Sequence, residues 1–438
     1  MKIKMAFELL FWVVLIASFC LQYGDGRMTL SITDFLSDSD NTNADHSQAF
    51  QDAWKALCKA KGGKEAPSLI IHANETYTVR PQLFQGPCVS RNLHIRIDGT
   101  IEAPKTVREW GSQRSEYWLC FERVTGLVLD GSGLLNPHGA AWWSSVAANS
   151  RPEAMRFSGC KDIIYNGLTQ LDSPKIHIAI SGCINATLSN LHLIAPANSP
   201  NTDGIDISFS HNIRILSSSI KTGDDCVAIR GGSYDINVTR VTCGPGHGIS
   251  IGSLGREGAT DTVQNVNVRH CTFTGTQNGA RIKTWDGGRG FAKNILYEDI
   301  TLINAQFPII IDQHYCNGGH CTTATAVKVS DVTFRYFKGT CADAIAIKLD
   351  CDQKVGCDNI VMEHINITSS APKTPLSAYC QFANVIRRFV NIPIRCGSHK
   401  LLQPLAPYSD QPPSPYPQPQ PPAPHAQSSM FSSFLYFM

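Results

Sequence analysis

The stretch His211–Ile220, HNIRILSSSI, decides how the chain is read. Branched apolar residues alternate with polar ones in it, Ile213 and Ile215 around Arg214, which is the period of a half-buried strand. One such strand says little, but this one returns. KDIIYN, CINATLSNLHL, YDINVTRVTC, QNVNVRHCTF, KNILYEDITL, SDVTFRYF and DNIVMEHINI repeat the phrasing, alternating apolar and polar around an Asn or Asp. Anchored on the Ile or Val of each phrase, the positions are 163, 184, 213, 236, 266, 295, 332 and 360, roughly 20 to 37 residues apart. Gly-rich turns separate them and no helical period runs through them. The unequal spacing does not suit a propeller blade or a leucine-rich repeat, and a sandwich or barrel would show turn signals every 8 to 12 residues or so. What remains is an all-β, right-handed parallel β-helix, a solenoid whose coils stack about 4.8 Å apart around one long core.

The ends read differently. ADHSQAFQDAWKALCKA puts Phe50, Trp54, Leu57 and Cys58 on one helical stripe with Asp45 as N-cap, so a short N-terminal helix should close the open end of the stack. Before it, Lys2 and Lys4 precede an apolar run from Leu9 to Leu21, the pattern of a secretory signal peptide over 1–26, cut between Cys20 and Arg27. After it, from Leu401, PYSDQPPSPYPQPQPPAPHAQ cannot form a ladder or a core, so 401–438 is expected to be a proline-rich disordered tail. The β-helix domain then spans 27–400.

Of 438 residues only 17% are charged, and the formal net charge of +2 excludes a nucleic-acid binder. Sixteen cysteines suit an oxidising compartment; Cys20 would leave with the signal, so fifteen remain and at least one is unpaired or pairs with another molecule. Sequons at Asn74, Asn185, Asn237 and Asn366 are compatible with a secreted glycoprotein.

The repeat is also a ruler. NTDGIDI holds Asn201, Asp203 and Asp206; TGDDC holds Asp224 and Asp225; GPGHGISIGSLG holds His247. Asp203 to Asp225 is 22 residues, and Asp225 to His247 is 22 again, one coil each. Two adjacent acids ordinarily mark a solvated turn. Stacked at one-coil spacing, the three acids and the histidine instead share one face. ARIKTW adds Arg281 and Lys283 and IDQHYC adds Tyr315, after longer coils. Clustered carboxylates titrate together, and at least one should be displaced upward toward the range of a general acid. Hydrolysis of a glycoside with inversion needs such an acid and a second carboxylate to activate water. Arg281 and Lys283 suit an anionic sugar. Trp142 and Trp143 read as packing.

At these motifs the sequence resembles the polygalacturonases of glycoside hydrolase family 28, most closely the plant secreted kind, from about Leu69 to Cys396. The resemblance implies hydrolysis of α-1,4 bonds between galacturonic acid residues of pectin or polygalacturonate, with inversion and with no metal or cofactor. It makes Asp224 the general acid, Asp203 and Asp225 the pair that activates water, and His247 the group that tunes the acid. Asn201, Arg281, Lys283 and Tyr315 become substrate-binding or site-ordering residues. It also implies disulfides Cys58–Cys88, Cys226–Cys243, Cys316–Cys321, Cys351–Cys357 and Cys380–Cys396, leaving Cys120, Cys160, Cys183, Cys271 and Cys341 over. A secreted, extracellular monomer of the cell wall is the expected setting, with the polysaccharide as partner and no membrane after signal cleavage. Two departures from the family stand out: the opening strand lacks a glycine, and Arg230 follows VAI where a small or neutral residue is usual. The rival readings are a calcium-dependent pectate lyase and an inactive pectin-binding β-helix.

Overall fold

Ile213, the branched residue of the opening phrase, stacks in parallel on Ile236, and the column continues through Val266, Ile295, Val332 and Ile360 to Val385, one residue per coil. The computed structural model describes residues 28–37, 45–63, 65–111, 115–316, 325–371 and 374–397. The expected signal peptide and proline-rich tail lie outside the described residues. Among those described, strands pair in parallel into a 21-stranded and an 11-stranded sheet, wound as a right-handed β-helix. The expected fold is found.

Inward positions are almost all aliphatic. In the 11-stranded sheet Ile205, Val227, Ile249, Ala280, Ile309 and Ile347 form one column, all at 0% exposure. Burying each of the larger ones contributes about 1.5–3 kcal/mol, enough when summed along the stack to offset the ordering of long loops. The Asn or Asp of each phrase also has a task. Asp162, Asn185 and Asn212 all adopt left-handed backbone at the turn, and each amide reaches the next: Asn185 Nδ2 to Asp162 Oδ1 at 2.8 Å, Asn212 Nδ2 to Asn185 Oδ1 at 2.7 Å. Asp235, Asn265 and Asn294 repeat the arrangement. Asn and Asp tolerate that conformation and satisfy the turn's polar groups, so the ladder fixes where each coil bends.

The N-terminal helix runs Ser47–Lys59, with His46 at the N-cap position, one residue later than expected. Asp45 still serves the helix end, accepting from Ser47 N at 3.2 Å. Its stripe packs onto the first coils, Trp54 against Phe84 and Phe121. The opening strand Thr29–Ser31 pairs with Ser68–Ile71. Four expected disulfides are present, Cys58–Cys88, Cys226–Cys243, Cys351–Cys357 and Cys380–Cys396. Cys316 is disulfide-bonded, and its expected partner Cys321 lies outside the described residues. Cys120, Cys160, Cys183, Cys271 and Cys341 are buried free thiols. Trp142 is core, its ring 4.9 Å from Trp110, and Trp143 donates to the Ser173 carbonyl. No described helix is long and apolar enough to cross a membrane.

Candidate active site

Three neighbouring strands of the 11-stranded sheet, Ile205–Ser208, Val227–Ile229 and Ile249–Leu254, carry the site in the turns that precede them. Ile205, Val227 and Ile249 are in register, so Asp203, Asp225 and His247, two residues before each, rise together as the 22-residue spacing requires. Backbone bonds between the turns lock them: Gly204 N donates to Asp225 O, Cys226 N to Gly248 O, and His247 N to Asp224 O, at 2.8–2.9 Å. The Cys226–Cys243 disulfide clamps the same turn. Gly248, with φ +93°, lets the chain pass close over the next coil, since a Cβ there would stand 2.4 Å from Asn278 O.

Asp224 is held by donors on three sides. His247 Nδ1 and the Asp225 amide meet its Oδ1 at 2.9 and 2.8 Å, and Asn201 Nδ2 approaches its Oδ2 at 3.4 Å. Asn201 sits in left-handed backbone and is itself oriented by Arg151, whose guanidinium donates to its Oδ1 at 3.1 Å. Although burial pushes Asp224 up, the His247 bond and charge, with Lys283 behind, prevail and hold it at about 2. The upward displacement expected of the cluster falls on Asp203 instead. Burial raises it well above the usual carboxylate range, reinforced by Asp206, Asp224 and Asp225.

Asp225 lies beneath the cleft floor at 0% exposure. Ser250 Oγ donates to its Oδ1 at 2.7 Å, Lys283 Nζ to its Oδ2 at 2.6 Å, and Arg281 Nη1 stands 3.7 Å away. Lys283, expected to bind the substrate, is 8% exposed, lines the cleft and bonds Asp225. Arg281 pairs with Ser250 and Lys283 with Asp312, within the strand Asn278–Trp285, whereas His247 lies in a turn. Tyr315 pairs with Trp285 and lies under both cations, its ring centre 5.6 Å from the Arg281 guanidinium and 5.5 Å from Lys283 Nζ. Above these groups opens a cleft of about 1060 Å³, lined by Asn201, Asp203, Asp224, His247, Arg281, Lys283 and Tyr315 among others. Every expected site residue except Asp225 reaches its wall.

Ser250 and Arg151 were not among the expected site residues, and Asp206 and Arg230, noted in the sequence, were given no role in the site. Ser250 was within reach of the ruler, 22 residues after Ala228 and one coil on, but a serine carries no signature of its own. Arg151 comes from 50 residues before Asn201, with no spacing to count.

Among the described residues, two groups bring possible metal donors together, Asp224, Asp225 and His247, and Asp286, His314 and Asp352. In the first, Ser250 and Lys283 already fill Asp225, and His247 Nδ1 is directed at Asp224. In the second, His314 Nδ1 bonds Asp286, and Asp352 Oδ1 accepts from the Lys354 and Val355 amides.

Residues 62–387 match glycosyl hydrolases family 28. The chain belongs to that family. A probable polygalacturonase of Arabidopsis thaliana is 41% identical over 379 residues, covering 85% of this chain and 81% of the relative. The polygalacturonase of Persea americana is 39% identical, covering 78% and 75%. Among solved structures, the endo-xylogalacturonan hydrolase of Aspergillus tubingensis superposes with a TM-score of 0.68 at 22% identity, covering 84% of this chain and 99% of that one. The polygalacturonase of Erwinia carotovora gives 0.63 at 22%, covering 82% and 96%. Both share the β-helix fold. This family 28 member is a glycoside hydrolase, and the lyase and inactive-binder readings are not favoured.

Proposed function

We propose that this enzyme hydrolyses α-1,4 bonds between galacturonic acid residues of polygalacturonate with inversion at the anomeric carbon. The observation that carries the reading is Asp224 bonded to His247 in a cleft that also holds Asp203, one coil away. The proton needed by the leaving oxygen is held on the His247–Asp224 hydrogen bond and reaches the glycosidic oxygen through Asp224, which suits a carboxyl kept ionised by its neighbour. Asp203, displaced upward, is the stronger base; it takes a proton from the water whose oxygen attacks the anomeric carbon from the far side. The proton given up by the His247–Asp224 pair and the one gained by Asp203 balance through solvent after each turnover. Asp225 is fully buried beneath the cleft floor. Its buried charge strengthens Asp203 as a base, and Lys283 acts through Asp225.

Arg281 keeps guanidinium nitrogens at the cleft wall for a uronate carboxylate, and Tyr315 flanks it with a hydroxyl for the sugar. The disulfides fit an extracellular protein. We place the enzyme in the cell wall as a monomer, reached through a signal peptide over 1–26, with 27–400 catalytic and 401–438 a proline-rich tail. Exposed Asn74 and Asn366 are the sequons suited to glycosylation, because Asn185 is a rung of the amide ladder.

One reaction tests this. Purified protein is given de-esterified polygalacturonate in a chelator while new reducing ends and the ultraviolet absorbance of unsaturated product are followed. Reducing ends without absorbance are expected; absorbance restored by calcium would overturn the hydrolytic reading, and silence in both channels would overturn the substrate.

A further inference from the structure

Arg230 lines the cleft beside the three acids, and none of the roles above uses it. Its Nε donates to Asp206 Oδ2 at 2.8 Å, its Nη2 meets the same oxygen at 2.5 Å, and that Nη2 also stands 3.8 Å from Asp203 Oδ2. Asp206 lies three residues after Asp203, is 5% exposed, and stacks between Ala179 and Ala228, neither of which offers a polar side chain. Its Oδ1 is buried with no hydrogen-bond partner among the described residues. The buried carboxylate is thus held from one side only, by the guanidinium it shares with Asp203.

We infer that Arg230 and Asp206 form a charge-setting pair for Asp203, the guanidinium favouring its ionised form and Asp206 opposing it. The inference rests on Asp203 acting as the water-activating base. Arg230 is then a positioning residue that acts through Asp203.

The charges around Asp203 come from every adjoining segment. Asp206 belongs to its own coil, and Asp224, Asp225 and Arg230 to the next. His247 and Lys283 face the group through Asp224 and Asp225. From the preceding coil comes buried His177, whose Nδ1 lies 3.2 Å from the Asp203 carbonyl and whose burial pushes it down to about 4. Burial and the three acids raise Asp203, while Arg230 lowers it. Removing the guanidinium disfavours the carboxylate, so more alkaline medium is needed to form the base. Removing Asp206 does the reverse. In an acid–base mechanism the acidic limb of the pH profile reports that base.

The test compares wild type, Arg230→Gln, Arg230→Lys and Asp206→Asn. Turnover of polygalacturonate is measured against pH, and the carboxyl groups of the free protein are titrated by pH-difference infrared spectroscopy, with Asp203→Asn assigning the Asp203 band. Arg230→Gln is expected to move the acidic limb to higher pH and Asp206→Asn to lower pH, with Arg230→Lys following wild type; the Asp203 band should move in the same senses. A pair that only braces the fold would lower turnover and leave both limb and band in place, and that result, or both variants moving the same way, overturns the inference. If Arg230→Gln does not fold, Arg230→Lys against Asp206→Asn still decides it. A wild type that leaves polygalacturonate intact would sink the substrate reading alone, because the infrared band reads the pairing without substrate.

Discussion

Replacing Lys283 by Met would strand the charge of Asp225, which has 0% exposure and no route to water. At 2.6 Å the two charges attract by roughly 6 kcal/mol at an effective dielectric of about 20, and breaking a buried pair by removing one partner costs about 3–5 kcal/mol net. Ser250 at 2.7 Å and Arg281 at 3.7 Å would remain, so the lower end, about 3 kcal/mol, is the expected loss. Urea denaturation followed by circular dichroism measures it, and a double-mutant cycle with Asp225→Asn isolates the pair. The double variant should recover most of the loss, because both buried charges are then gone. Turnover should fall in Lys283→Met, since Lys283 works through an acid of the site. The reasoning would be refuted by a variant within about 1 kcal/mol of wild type that raises KM for the acidic polymer while keeping kcat, the signature of a substrate ligand.

The two cleft acids should answer to pH with opposite signs. Asp203 is raised, so the stability it contributes is present below its ordinary value and lost as pH rises through the folded one; Asp203→Asn should therefore be more stable than wild type at neutral pH and lose that advantage in acid. Asp224 is lowered from 3.8 to about 2, worth roughly 2 kcal/mol above the ordinary value and lost as pH falls through 2, so Asp224→Asn should be the less stable variant at neutral pH. Denaturant midpoints across pH check both, and variants that shift in the same direction would contradict the assignment. Each of Asp203→Asn, Asp224→Asn and Asp225→Asn should lower turnover by about 10²–10⁴-fold in a reducing-end assay; near-normal turnover in any of them removes that residue's role. Proton NMR of the fresh product should show the β anomer first, and an initial α anomer would exclude inversion.

The fold was legible because branched residues sit where the core needs them. Ile213, Ile236, Val266 and their successors are one inward column. The anchor at Ile184 is the instructive exception: it pairs with Lys161 and His211 at the strand's start, and the residue in the column is Ala186. A small inward residue hides from a search for branched ones. Of the first coils, Ser68–Ile71 and Leu127–Asp130 have no Asn or Asp directly before them, and Asn92 before Leu93–Ile97 is not in the left-handed backbone that marks the later coils. At the site, coil spacing brought Asp203, Asp225 and His247 together, but spacing cannot say which side chains touch. His247 bonds Asp224, and Lys283 bonds Asp225, because side-chain reach in the turns and within the strands differs. Asp203 is displaced upward chiefly by burial, with Asp206, Asp224 and Asp225 adding to it, surroundings visible only once the coils are stacked.

The two equal coils through the site give this chain something like a reading frame. From Ile205 to Val227 and on to Ile249 the count is 22 and 22, whereas the following coils, Ile249 to Ala280 and Ala280 to Ile309, take 31 and 29. A residue inserted between Ser208 and Asp224 has no long loop to absorb it, and a slip of one in strand register turns every side chain to the opposite face. The acid and the histidine would then fall out of step although each was still encoded. Divergence of this scaffold toward new polysaccharides is thus channelled to the outer coils, where length can change, while the middle of the cleft changes by substitution alone.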